Sequence, residues 1–213
     1  MVRIAISGSH SLGKSTFVHD WVHQHPEYIR EEEPYRALRD WYAIEFKDGS
    51  TRLHNGIQLH YNASRVNRYH DSQDNVIFDR APVDYIAYSQ YTANQGTTDI
   101  CDAFVDALVP TVRDSLRFLD VLVFIPISEQ WPIAMEDDGI RPVDLAYRDE
   151  VDELLKQIYR QQRWQVMPTE QVPLLVELSG SRTDRVKQLE DTIQNWSAAH
   201  GEGLSPPMQT MTA

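Results

Sequence analysis

The apolar residues of this chain fall into two kinds of pattern. Residues 2–7 (VRIAIS), 75–79 (NVIFD), 120–126 (DVLVFIP) and 173–178 (PLLVEL) are short, nearly unbroken apolar runs rich in β-branched residues. Runs of that length and composition predict strands covered on both faces. Residues 28–30 form a shorter candidate strand. Between the runs the apolar positions recur at helical spacing, over residues 15–25 (stopped by Pro26), 56–71, 82–91, 99–118, 145–164 and 183–196. Pro110 predicts a kink or break in the fourth of these stretches. Residues 41–52 read as an irregular or hairpin-like connection. Strand and helix alternate about five times, which predicts an α/β fold: a parallel sheet of five strands with helices on both faces. Residues 1–200 read as a single domain, and 201–213 (GEGLSPPMQTMTA) as a disordered tail.

The connection between the first strand and first helix carries the chemistry. It reads Gly8-Ser9-His10-Ser11-Leu12-Gly13-Lys14-Ser15-Thr16 and fits G-x-x-x-x-G-K-[ST], with a strand before it and a helix after it. The glycines let successive N–H groups point inward as an anion nest, and the following helix adds its positive end. Lys14 is expected at the β- and γ-phosphates and the Ser15 hydroxyl on Mg²⁺. A chance match to four constrained positions arises on the order of one per cent of the time in a chain this long. The site therefore predicts a P-loop NTPase fold that takes ATP and Mg²⁺, with GTP left open as donor. Gly8, Ser11, Gly13, Lys14, Ser15, Thr16 and the late turn at Gly180 are the nucleotide-binding candidates.

Several P-loop classes are missing their marks. None of the 9 glycines has an aspartate three residues before it, and no asparagine precedes a lysine, so the GTPase motifs are absent. Asp79 is followed by Arg80 rather than by a second acid, and residues 178–181 (LSGS) lack a transporter signature. Small-molecule kinases remain. Asp79-Arg80 at a strand end resembles the Asp-Arg motif of deoxynucleoside and thymidylate kinases. The whole segment at 79–88 (DRAPVDYIAY) is similar to that of the NadR-like AAA ATPase/kinase family. Residues 141–149 (RPVDLAYRD) resemble that family's lid. The resemblance implies a nucleoside- or nucleotide-kinase-like protein with a lid at about 136–148, and ribosylnicotinamide phosphorylation is the family's best-known activity.

Catalytic roles are expected for Lys14, Asp79, Arg141, Arg148 and Glu32. Asp79 would hold the metal with Ser15 or act as base. Glu32, chosen from the run Glu31-Glu32-Glu33, is the other candidate base, like the acid after the second strand of deoxynucleoside kinases. Arg30, Tyr35, Arg36, Gln58, Asn62, Arg65, Arg80 and Asp84 are the candidate acceptor contacts, and Trp41 and Tyr42 are further stacking candidates. His19, His23 and nearby His25 lack an acidic or cysteine ligand that would complete a zinc site. The acids flanking Cys101 are expected to raise its thiol pKa.

Charge and composition narrow the partners. Lys+Arg 20 against Asp+Glu 32 gives a net charge of −12, which disfavours a nucleic-acid backbone while permitting a local pocket for a small anion. No run approaches a membrane span, and a single cysteine is expected in a cytoplasmic chain without internal disulfides. The expected partner is a small hydroxyl-bearing acceptor, a nucleoside, nucleotide or ribosylnicotinamide-like metabolite. A second copy of the chain is left open. The rival reading is a regulatory ATP- or GTP-binding module that hydrolyses slowly and acts through a protein. A third, an enzyme acting on phosphorylated nucleic-acid ends, is opposed by the charge.

Overall fold

The four long apolar runs and the shorter fifth become the strands of one sheet. The computed structural model describes residues 1–46, 50–133 and 144–200. Its elements run β1 (Arg3–Ser7), α1 (Lys14–Gln24), β2 (Tyr28–Glu31), α2 (Pro34–Tyr42), α3 (Arg52–Arg68), β3 (Asn75–Asp79), α4 (Asp84–Gln95), α5 (Asp102–Leu116), β4 (Val121–Phe124), α6 (Leu145–Gln161), β5 (Leu174–Glu177) and α7 (Arg182–His200). All strand pairs are parallel, in the order β2-β3-β1-β4-β5.

Alternation along β1 divides the core. Ile4 and Ile6 face Phe17, Val18 and Trp21 of α1 and Val186 and Leu189 of α7. Ala5 faces the other way, into a layer that includes Leu59 and Val66 of α3, Ile86 of α4, Val112 of α5 and Leu155 of α6. Helices thus cover both faces, which is why all of β4 and the middle three residues of β1 and of β3 are apolar. Truncating a fully buried side chain such as Trp21 costs about 3–5 kcal/mol. The registers Ile6↔Asp79 and Glu31↔Phe78 bring the C-terminal ends of β1, β2 and β3 to one edge, where ligands of open parallel sheets sit.

Three features differ from the expected pattern. Residues 34–42 form a helix, α2, opened by Pro34 at a position where its missing N–H costs nothing. α3 starts at Arg52 because the Thr51 hydroxyl accepts from the His54 N–H at 3.2 Å. α5 continues through Pro110, since Pro110 and Asp106 lie on its exposed side and water can serve the carbonyl the proline leaves free. Of the expected lid, only residues 144–148 are described: Asp144 caps α6, accepting from the Tyr147 N–H at 2.9 Å, and the next residues are its first turn. The rest of the lid, Arg141 included, and the 201–213 tail lie outside the described residues.

Candidate active site

The loop after β1 is shaped by its glycines. Gly8 has φ 149°, and a Cβ there would lie 2.7 Å from the Ile125 carbonyl oxygen, backbone against side chain with no room to yield. Gly13, at φ 76°, caps α1 in the left-handed region. Lys14 is buried and its Nζ donates to the Ser9 carbonyl at 2.5 Å. Burial first, then the nearby Arg80 charge, pushes the Lys14 ammonium down to about 7. A cavity of about 550 Å³ opens over this loop, bordered by Lys14, Ser15, Thr16, Asp79, Gly180 and Arg185 among others.

Asp79 ends β3 beside the loop. Its carboxylate is buried and, among the described residues, Oδ2 accepts no hydrogen bond; Arg30 pairs with it at longer range, Nη2 at 3.7 Å. Burial, reinforced by Glu33, raises its pKa, while the Ser15 hydroxyl, Lys14 and Arg80 act the other way. A buried carboxylate oxygen lacking a donor, next to a serine hydroxyl at a helix start, is an oxygen donor set that suits Mg²⁺.

Arg80 follows at φ 113°, a conformation that costs a non-glycine residue about 1–3 kcal/mol. Asn62 Nδ2 holds its carbonyl at 3.2 Å. The guanidinium is buried, with Nε donating to Glu33 Oε1 at 2.7 Å and Nη1 to Tyr88 Oη at 2.7 Å and Asp84 Oδ2 at 3.2 Å. Asp84 is in turn held by the Ser7 hydroxyl at 2.5 Å, and Ser7 accepts from Tyr159 Oη at 2.6 Å. Glu33 also lies 3.3 Å from Arg36 Nε.

A second cavity, of about 520 Å³, lies on the far side of this arginine, and the two cavities share His10, Glu33 and Arg80. Aromatic rings dominate its walls. Tyr35 and Phe46 have centroids 4.9 Å apart, and Tyr147 stacks on His10 at 4.7 Å and meets Tyr91 at 4.5 Å. Asn55 and Gln58 of α3 supply amides.

Most of the expected residues converge here. Ser11, Gly13, Lys14, Ser15, Thr16, Gly180, Asp79 and Arg36 border the first cavity, Tyr35 and Gln58 the second, and Arg80 both. Among the described residues, six of the expected catalytic and acceptor positions border neither cavity. Glu32 turns away, its Oε1 taking the Arg30 guanidinium at 3.1 Å and the Glu33 N–H at 3.2 Å, and it borders a separate shallow pocket with Trp41; Glu33 is the acid at the junction. Arg65 is bound to Glu31, which also takes the Tyr69 hydroxyl at 2.6 Å. Asn62 and Asp84 hold Arg80 and border neither cavity. Arg30 stands between Asp79 and Glu32, outside both linings. The Arg148 guanidinium is on the Ile133 carbonyl at 3.1 Å and Asp149 at 3.2 Å, while its own carbonyl accepts from Ser9 Oγ. Trp41 and Tyr42 are exposed. The Cys101 thiol shifts down rather than up, because the Phe104 and Ala103 backbone N–H groups at the start of α5 favour the thiolate, with Arg52 adding to the effect.

His10, Arg185 and the tyrosines of α4 and α6 were not anticipated. Tyr85, Tyr88, Tyr91 and Thr92 recur at three- and four-residue spacing, which also describes an ordinary buried helix face.

An AAA domain family model matches residues 3–173. No curated protein matches the chain significantly. Among solved structures, a NadR protein in complex with NAD and AMP-PNP superposes at a TM-score of 0.60 and 18% identity, covering 96% of this chain and 52% of its own. A NadR protein in complex with NR gives 0.62 and 18%, covering 96% and 54%. Deoxyadenosine kinase from M. mycoides with bound dATP gives 0.62 and 14%, covering 91% of this chain and 100% of its own. The chain thus spans about half the length of the NadR chains. At these identities the likeness is one of fold, the five-stranded parallel α/β fold of P-loop kinases.

Proposed function

The chain belongs to the AAA domain family, and on that footing we propose that it is a Mg-ATP-dependent kinase acting on a hydroxyl of a nucleoside-like small molecule. The observation that carries this reading is the pair of cavities meeting at His10, Glu33 and Arg80, one over the phosphate loop and the other walled by aromatic rings. A hydrolase needs only the first. An aromatic cavity with a few amides suits a flat base and its sugar.

In transfer, the acceptor hydroxyl oxygen bonds to the γ-phosphorus, the bridging P–O bond to the β-phosphate breaks, ADP leaves, and the hydroxyl proton passes to the Glu33 carboxylate. Lys14 and the loop amides hold the β- and γ-phosphates, and Arg80, fixed by Asp84 and Tyr88, meets the charge that develops between the cavities. Ser15 and Asp79 would hold Mg²⁺, which when bound neutralises phosphate charge.

The test is ADP release from ATP and Mg²⁺ across a panel of nucleosides that includes ribosylnicotinamide, with GTP as alternative donor. Turnover stimulated by an acceptor and lost in Lys14→Ala supports the kinase. Hydrolysis indifferent to every acceptor supports the rival nucleotide-binding module and overturns the reading.

A further inference from the structure

Three arginines among the described residues are buried: Arg3, Arg80 and Arg185. Arg3 is paired with Asp120, and Arg80 with Glu33 and Asp84. Arg185, on the first turn of α7 and only 5% exposed, has no carboxylate partner among the described residues. Of the five N–H donors of a guanidinium, one is committed, Nη1 to the Leu12 carbonyl at 3.0 Å, while Nε is buried with no acceptor. Its neighbour Arg182 is different: it is exposed and bound to Asp20 through two contacts of 2.6 and 2.9 Å.

A buried cation without a counter-charge is a cost to the fold. Its position says what answers it. Arg185 borders the cavity over the phosphate loop, and its Nη1 lies 3.7 Å from where a Cβ on Gly13 would stand. Gly13 is part of the turn whose amides form the anion nest, so the guanidinium extends that nest on the α7 side.

We propose that Arg185 is a donor-binding residue whose guanidinium takes oxygens of the nucleotide's polyphosphate chain, a contact that rests on the donor-site reading above. Burial alone lowers the Arg185 pKa, with no charged neighbour raising it, as expected of a cation waiting for an anion. The fold carries an unanswered charge when empty and recovers that cost on binding, so the same residue opposes stability and favours affinity.

Arg185→Met keeps an unbranched apolar stem and removes the guanidinium with its charge. The expected result is a rise in Tm of about 2–4 °C without ligand and a loss of about tenfold in affinity for both ATP and inorganic tripolyphosphate. A purely structural strut to Leu12 predicts the reverse: a lower Tm and unchanged affinities, which would overturn the proposal. Weakened ATP with unchanged tripolyphosphate would move the contact to the base and overturn it as well. Arg185→Lys retains charge and is expected to keep most of the tripolyphosphate affinity; a loss equal to that of Met counts against a charge contact. Wild-type protein that binds neither ligand fails the donor-site reading itself, whereas wild-type binding with an indifferent Arg185→Met fails this inference alone.

Discussion

At the residue scale, the strongest consequence of burial is at Lys14. Its ammonium sits at about 7 in the folded chain against 10.5 when free in solution. Between those values the unfolded chain binds the proton and the folded chain does not, so stability rises with pH across that window and the contribution is lost as pH falls through about 7. Lys14→Met is therefore expected to flatten the rise in urea-unfolding free energy between pH about 7 and about 9 and to stabilise the empty protein at neutral pH. An identical slope in both proteins would refute the assignment. Phosphate binding restores the charged form, so ATP binding above pH about 7 takes up a proton, readable by calorimetry in buffers of different ionisation enthalpy. A second residue-scale prediction separates neighbouring acids. Glu33→Gln, which can keep its bond to Arg80, is expected to lower kcat by about 100-fold or more, and Glu32→Gln to leave it within about twofold. Equal losses in the two variants would deny Glu33 its role as base.

At the element scale, α5 offers a direct measurement. Its proline lies on the exposed side and gives up one backbone hydrogen bond. Pro110→Ala restores that bond but frees the unfolded chain, so a net gain of about 2 kcal/mol in urea unfolding is expected; a loss would mean the helix depends on the proline. The strands were legible because unbroken apolar runs have few alternatives, and β3 was read at its observed bounds. Pro110 misled because its effect depends on which side of the helix it occupies, and that is set by packing against α3 and α4. α2 was missed because it is a nine-residue helix set directly behind an acidic run and a proline, and only Pro34, Ala37 and Leu38 of it are buried. The same limit governs the site. The phosphate loop is local in sequence and could be read whole. Which of three consecutive glutamates faces inward, and that Arg185 returns beside Gly13 from 172 residues away, depend on contacts made only in the folded chain.

At the scale of the whole molecule, strand order sets the chemistry. With β1 central, its loop stands between the β3 end carrying Asp79 and Arg80 and the β4–β5 side that leads into α7. The donor cavity sets Lys14, Arg36, Arg80, Arg182 and Arg185 against Asp20, Glu33 and Asp79, an excess of positive groups in a chain whose net charge is −12. Such focusing favours a small polyanion and repels an extended one. Because the two cavities meet at His10, Glu33 and Arg80, donor and acceptor are expected to approach in line across that junction. A single molecule spanning both would lose overall freedom once rather than twice. An adenosine polyphosphate joined to whichever nucleoside stimulates turnover should therefore bind at least about 100-fold more tightly than ATP, with the linker matched to the junction and affinity falling when it is shortened by one phosphate. Calorimetry with conjugates of successive length gives the answer. If no conjugate exceeds ATP, the cavities do not form one continuous site, and the aromatic cavity must serve something other than the phosphoryl acceptor.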